Sequence, residues 1–201
     1  MRRPLFILIL TLIGLTAKAQ TPLSDAQSQE VIQQLTDKAA SMQTMRCRFV
    51  QEKTSAMLAE PSVAEGTMEY IAPDHLRWEY TEPYSFALIV EGERITKITD
   101  GQPEVLEGNS SRMYQGMVDL IMGSATGRNL FDTTVFDVVL TDDGLHWKAE
   151  MTPKRRDMKR MFKELVFCFD KATSTIHLVH FVEAGGDVTS IRFEEIEVSM
   201  P

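Results

Sequence analysis

The sequence predicts a mainly β protein: a strongly curved, unclosed antiparallel β-barrel of about 10–11 strands, with two main helices as a lid over an apolar cavity. Three observations lead there. Apolar residues alternate with polar ones at a period of two along most of the chain. Short turn signals separate these runs, so the strands follow one another as hairpins with no crossover helix between them. Only two stretches change to helical spacing, so few helices are available to cover the sheet.

The first helical stretch runs from Ser24 to Met45. Ser24 and Gln27 fit a capping box, in which each side chain satisfies the other residue's backbone amide. Val31, Leu35, Ala39 and Met42 recur on one face, widened by Ile32. From Met45 the period becomes two: Met45, Cys47 and Phe49 alternate with Arg46 and Arg48. Gly66 opens a strand carrying Met68 and Tyr70, which stops at Pro73. The next segment, APDHLRWEYTEP, sets Leu76, Trp78 and Tyr80 on one face and Arg77 and Glu79 on the other. Phe86, Leu88 and Val90 resume the alternation after Pro83, and Ile95–Thr99 follows the turn at Gly92.

The second helical stretch, Ser110–Gly123, places Met113, Met117, Leu120 and Ile121 on one face. Strands then return: Val135–Leu140, then Leu145, Trp147 and Ala149. After a basic loop come Met161–Phe169, with Phe167, then Thr175–Glu183 and Ser190–Val198. In the last strand Ile191, Phe193 and Glu195 fall on one side, and Glu194 and Glu195 face opposite ways.

Residues 1–19 read as a cleavable secretory signal. Arg2 and Arg3 precede an apolar run, Leu5–Thr16, too short for the roughly 20 residues of a spanning helix, and Ala17-Lys18-Ala19 forms a small-x-small cleavage site. Gln20 follows where a lipidated chain needs Cys, so the expected product is exported and not lipidated. Removing residues 1–19 from 201 leaves 182, read as a single domain over 20–201. Arg2, Arg3 and Lys18 leave with the signal, so a formal net charge of −8 becomes about −11. That balance disfavours nucleic acid and anionic membrane surfaces as default partners, and leaves room for a local basic contact patch.

Export permits a disulfide between Cys47 and Cys168, but nothing in the sequence brings the two together. The histidines show no ligand spacing, so no metal or cofactor is expected; His177 and His180, three apart in a strand, should face opposite ways. There is no nucleophile elbow and no phosphate loop, and an enzyme is not the expected class. Lys154, Arg155, Arg156, Lys159, Arg160 and Lys163 form a basic run in an acidic chain, readable as a patch that docks an acidic surface on a membrane partner or touches phospholipid head groups, or as a solvated loop. Strand-period aromatics fill a core or line a ligand cavity, and the pattern by itself leaves both readings open. The cavity reading takes Phe49, Met68, Tyr70, Leu76 and Trp78 as its wall, with Tyr80, Phe86, Leu88, Trp147 and Phe167. The two helices would form the lid, through Val31, Leu35 and Met42 on one and Met113, Met117, Leu120 and Ile121 on the other.

Several pieces, in order, resemble the LolA family of periplasmic lipoprotein carriers. They are Phe49-x-Gln51, Gly66, Pro73-x-x-x-x-Trp78, Pro83, Pro153 and the Gly186-x-x-Thr189-x-Ile191-x-Phe193 ending, spread over Leu23 to Val198. The resemblance implies an unclosed barrel capped by helices, whose cavity shields lipoprotein acyl chains between the inner and outer membranes. It implies acylated lipoproteins as cargo, an inner-membrane ABC-type release complex as donor and an outer-membrane acceptor. It implies no catalysis and no integral membrane segment. Family members commonly carry Arg before the proline matching Pro73, where it latches the lid; this chain has Ala72, whose methyl group makes no such bond. A general lipid-binding or envelope-sensing module on the same half-barrel is the alternative.

Overall fold

The computed structural model describes residues 21–108 and 131–201. The expected signal, residues 1–19, and the second lid helix with Met113, Met117, Leu120 and Ile121 lie outside the described residues.

Within them, one helix precedes a run of hairpins. After the two-residue strand β1 (Thr21–Pro22), helix α1 spans Asp25–Ser41. The capping box forms as expected: the Gln27 amide donates to Ser24 Oγ at 3.4 Å and the Ser24 amide to Gln27 Oε1 at 3.0 Å. Six strands follow, β2 (Thr44–Thr54), β3 (Ser62–Ile71), β4 (His75–Glu82), β5 (Phe86–Glu91), β6 (Arg94–Thr99) and β7 (Gln102–Leu106). The second half contributes β8 (Phe136–Asp142), β9 (His146–Pro153), a short helix α2 (Arg156–Met161), then β10 (Phe162–Asp170), β11 (Ile176–Glu183) and β12 (Val188–Ser199). The basic segment read as a loop is therefore partly helical, and β1 and β7 were not foreseen.

All of these strands join one sheet in the order β1-β8-β9-β10-β11-β12-β2-β3-β4-β5-β6-β7, each neighbour antiparallel. Two meanders, β2–β7 and β8–β12, are fused where β12 pairs with β2 from Val188↔Thr54 to Ser199↔Thr44. The expectation of a strongly curved half-barrel is corrected: the sheet is open and not strongly curled, and among the described residues it has twelve strands. Its end strands β1 and β7 do not pair with each other. The physical reason is that devices which bend a sheet are few here. The register shifts only at Glu65/Gly66, Phe162/Glu164, Cys168/Phe169 and Glu194/Glu197, and Gly66 is the one glycine inside a described strand. The large aromatics of β2 and β4 are accommodated by stacking on one another.

One face of the sheet carries the core. Met45, Cys47 and Phe49 of β2 lie beside Met68 and Tyr70 of β3, Leu76 and Trp78 of β4, and Leu88 and Val90 of β5, all buried. The same face continues through Phe193 and Ile191 to Val179, Phe167, Ala149 and Leu140. Helix α1 buries Val31 and Leu35 against this cluster, and its Ala39 is also buried. Toward the β7 edge the face turns polar, with Lys97 and Glu104 paired at 2.6 Å. The opposite face is laced with charge: Arg46 pairs with Glu69 at 2.6 Å, Arg77 with Glu79 at 2.8 Å and Arg48 with Glu65 at 3.3 Å. Such partly exposed pairs contribute little stability each and mainly keep that face wetted. Cys47 lies on the core face and Cys168 on the other, and both are free thiols.

The end of β12 departs from simple alternation. Its register shifts between Glu194 and Glu197, with Glu195 at φ 53°. The shift turns Glu195 outward to Arg48 at 3.4 Å, while Arg192 holds Glu194 at 2.9 Å. The expectation that Glu195 shares the Ile191 and Phe193 side is corrected; Ile196 packs toward the core in its place.

Candidate functional site

The aromatic centre of the apolar face is built from cross-strand pairs. Phe49 of β2 lies opposite Gly66 of β3, and Gly66 lies opposite Tyr80 of β4. Glycine is required between them, since an added Cβ would fall on the Glu79 carbonyl oxygen and on the edge of the Phe49 ring. The space lets Phe49 lie over its neighbour strand and stack on Trp78, ring centroids 4.1 Å apart at 23°. Tyr80 meets Phe49 edge-on at 5.1 Å, and Phe193 meets Trp78 edge-on at 6.1 Å. Such offset and edge contacts suit the ring quadrupoles.

Polar atoms within this centre are satisfied. The Tyr80 hydroxyl donates to Gln51 Oε1 at 2.8 Å, and burial pushes its pKa up to about 12, so it stays neutral. The Tyr70 hydroxyl donates to the Pro73 carbonyl at 3.3 Å.

The structure brings the residues expected to wall a cavity onto one face. Phe49, Met68, Tyr70, Leu76, Trp78, Leu88, Trp147 and Phe167 are buried, and Tyr80 and Phe86 are half-buried against the same cluster. They divide into two groups. Phe49, Trp78, Tyr80 and Phe86 gather on β2–β5, whereas Trp147 sits on β9, beside Phe169 of β10, its ring 5.6 Å from the Lys171 ammonium. Phe167 lies between them and meets Phe181 edge-on at 6.3 Å. Sequence reasoning left Phe181, Phe193 and Tyr84 out of the wall. Strand alternation marks the first two, while Tyr84 sits in the turn after Pro83 and has no periodic signal; its ring is 5.4 Å from Tyr80.

Of the lid, Val31, Leu35 and Met42 are buried on the cluster. The polar ties of α1 to the sheet are exposed: Gln34 Nε2 donates to Ser174 Oγ at 2.9 Å, and Ser41 Oγ lies 3.7 Å from the Met200 sulfur. At Ala72 the backbone supplies the contact, its amide donating to the Gln43 carbonyl at 2.8 Å just beyond α1.

In the basic segment, Lys154 pairs with Asp137 at 2.7 Å and Arg155 with Asp157. Arg156, Lys159 and Arg160 are exposed on α2. The rings of His146 and His177 lie 4.4 Å apart, a proximity that strand spacing alone did not reveal, and no group of three metal-ligating side chains occurs among the described residues.

The family model described as outer membrane lipoprotein carrier protein LolA matches residues 40–201. The chain belongs to the LolA family. An outer-membrane lipoprotein carrier protein of Methylobacillus flagellatus is 26% identical over 158 residues, 78% of this chain and 73% of its own length. In structure the chain is similar to the Mycobacterium tuberculosis lipoprotein LppX, with a TM-score of 0.50 at 13% identity, covering 89% of this chain and 100% of that one. It is also similar to MucB, with a TM-score of 0.50 at 10% identity, over 89% of this chain and 61% of that one. At these identities the structural likeness is one of fold. LolA membership makes the chain a periplasmic protein of the lipid- and lipoprotein-binding carrier superfamily, and not an enzyme. No described helix is long and apolar enough to cross a membrane.

Proposed function

We propose that this LolA-family chain takes up the acyl chains of lipoproteins released from the inner membrane and delivers them to the outer membrane. The donor would be an ABC-type inner-membrane complex and the receiver an outer-membrane acceptor. In this reading residues 1–19 are removed on export and residues 20–201 form the carrier domain. The observation that carries it is the aromatic centre of Phe49, Trp78, Tyr80 and Phe86 on one continuous apolar face, overlaid by a helix whose polar ties to the sheet are few and exposed.

The magnitudes favour uptake without chemistry. Each methylene removed from water gains about 0.8 kcal/mol, so about a dozen gain roughly 10 kcal/mol. The exposed hydrogen bonds holding α1 are worth about 0.5–1.5 kcal/mol each. An entering acyl chain that displaces the helix must also offset the exposure of Val31, Leu35 and Met42, about 1.5–3 kcal/mol each, so gain and loss are of similar size and the exchange is reversible.

Native mass spectrometry of the mature chain, incubated with lipoprotein-loaded inner membranes, tests the proposal. A one-to-one complex with acylated cargo only, weakened by Phe86→Asp at the half-buried end of the cluster, is the expected result. Absence of any complex would overturn it, and free lipid retained without lipoprotein would replace it with general lipid binding.

A further inference from the structure

We infer that one end of the sheet is a docking rim for an anionic phospholipid surface. Register fixes which turns share that end. Phe162 of β10 lies opposite Glu183 of β11, Val188 opposite Thr54, Lys53 opposite Ser62, and Tyr80 opposite Phe86. The segment holding α2, the β11–β12 turn, the β2–β3 loop and the β4–β5 turn therefore lie along a single rim. Adjacent parts are tied together: the Ala184 amide donates to the Met161 carbonyl at 2.8 Å, and Lys53 bonds Glu183 at 2.8 Å.

The rim combines unpaired cations with exposed apolar side chains. Arg156, Lys159, Arg160 and Lys163 are exposed, and among the described residues none of the four has an ion-pair partner. This is unusual in a chain of net charge −8 whose other basic side chains are largely paired. Met161, 43% exposed, lies among them at the end of α2. Farther along, Met57 is 94% exposed and Leu58 46%, in a loop with no charge between Lys53 and Glu60. Tyr84, 49% exposed, completes the row.

Free cations beside protruding apolar tips match a bilayer interface, where phosphates meet the cations and the tips enter the acyl boundary. An acidic protein surface would use the cations but leave Met57 and Leu58 uncovered. The acidic character of the rest of the chain turns the other surfaces away from an anionic bilayer. The rim also leads inward, since Tyr84 touches Tyr80 at 5.4 Å and Tyr80 touches Phe49 at 5.1 Å. Docked this way, the aromatic face opens toward the lipid.

The test is co-sedimentation of the mature chain with vesicles of phosphatidylglycerol and phosphatidylethanolamine, against vesicles of phosphatidylcholine alone. Binding to the anionic vesicles only, falling as salt rises, is expected. Each cation contributes about fivefold to partitioning, so combined reversal of Arg156, Lys159, Arg160 and Lys163 to Glu should lower it by at least about a hundredfold. Met57→Ser with Leu58→Ser should weaken binding while leaving its salt dependence. All of these positions are exposed, and circular dichroism checks the fold. No binding to anionic vesicles, or undiminished binding by the charge-reversed chain, overturns the inference. So does a charge-reversed chain that binds vesicles normally but fails to accept cargo from the inner-membrane complex, which would assign the cations to a protein partner. Because the vesicles carry no lipoprotein, failure to bind them leaves the carrier proposal standing, and failure to form the cargo complex leaves this inference standing.

Discussion

Gly66 and Phe49 act as one unit. The glycine leaves room for the ring, and the ring covers the backbone that the glycine leaves bare. Phe49→Ala removes the stack on Trp78 and opens a cavity, at an expected cost of about 3–5 kcal/mol. A urea titration should show it as a lower midpoint, while Thr67→Ala on the opposite, exposed position should shift stability by less than about 0.5 kcal/mol. Asp143 makes a second residue-level prediction. Burial by itself would raise its pKa, yet the backbone amides of His146 and Leu145 and the His146 ring bring it from the ordinary 3.8 down to about 2. Its contribution to stability is therefore present above pH 3.8 and is lost as pH falls toward 2. Thermal melts across that window should flatten in Asp143→Asn. Phe49 and Gly66 were both legible in the sequence as strand positions. Their mutual dependence was not, because it arises between strands and depends on a register that no local pattern prints. Asp143 stands in the turn between β8 and β9, and its partner His146 becomes evident only with the turn closed.

At the scale of elements, α1 was readable because its signals are local. Ser24 and Gln27 mark its start, and the spacing of Val31, Leu35 and Ala39 marks its buried stripe. The observed end at Ser41 comes before the expected Met45, since the residues from Thr44 onward have a better use as the first partner of β12. Ser24→Ala should destabilise α1 by about 1 kcal/mol and lower Tm by a few degrees, with strand content by circular dichroism unchanged. The hairpins were legible by the same kind of local evidence. Strand β7 was missed because Gln102-Pro103-Glu104 lacks alternation; as an edge strand it needs little, and a proline there helps block unwanted pairing. Helix α2 was missed because six residues cannot show a helical period. Its charges were read correctly as a basic run, whereas their place on a shared rim with Met57 and Tyr84 follows only from the strand register.

For the whole molecule, the antiparallel meanders and the common apolar face follow from alternation, but curvature does not. Alternation states which side of a strand is apolar. It does not state how far each strand rotates on its neighbour, a quantity set by bulges and by the packing of rings. The pairing of β12 with β2 was equally hidden, and it has a consequence in time. One of the two longest described seams in the sheet joins a strand starting at Thr44 to one ending at Ser199, so its closing contacts wait for β12. Contacts so distant along the chain carry a large loop-closure cost and slow the last step of folding. A chain ending at Asp187 should therefore collapse without the single cooperative unfolding transition of the chain that retains β12, measurable by calorimetry. For a protein whose working place is the periplasm, this ordering is useful: the seam cannot close before β12 has crossed the inner membrane, so the strands ahead of it are threaded before the sheet locks.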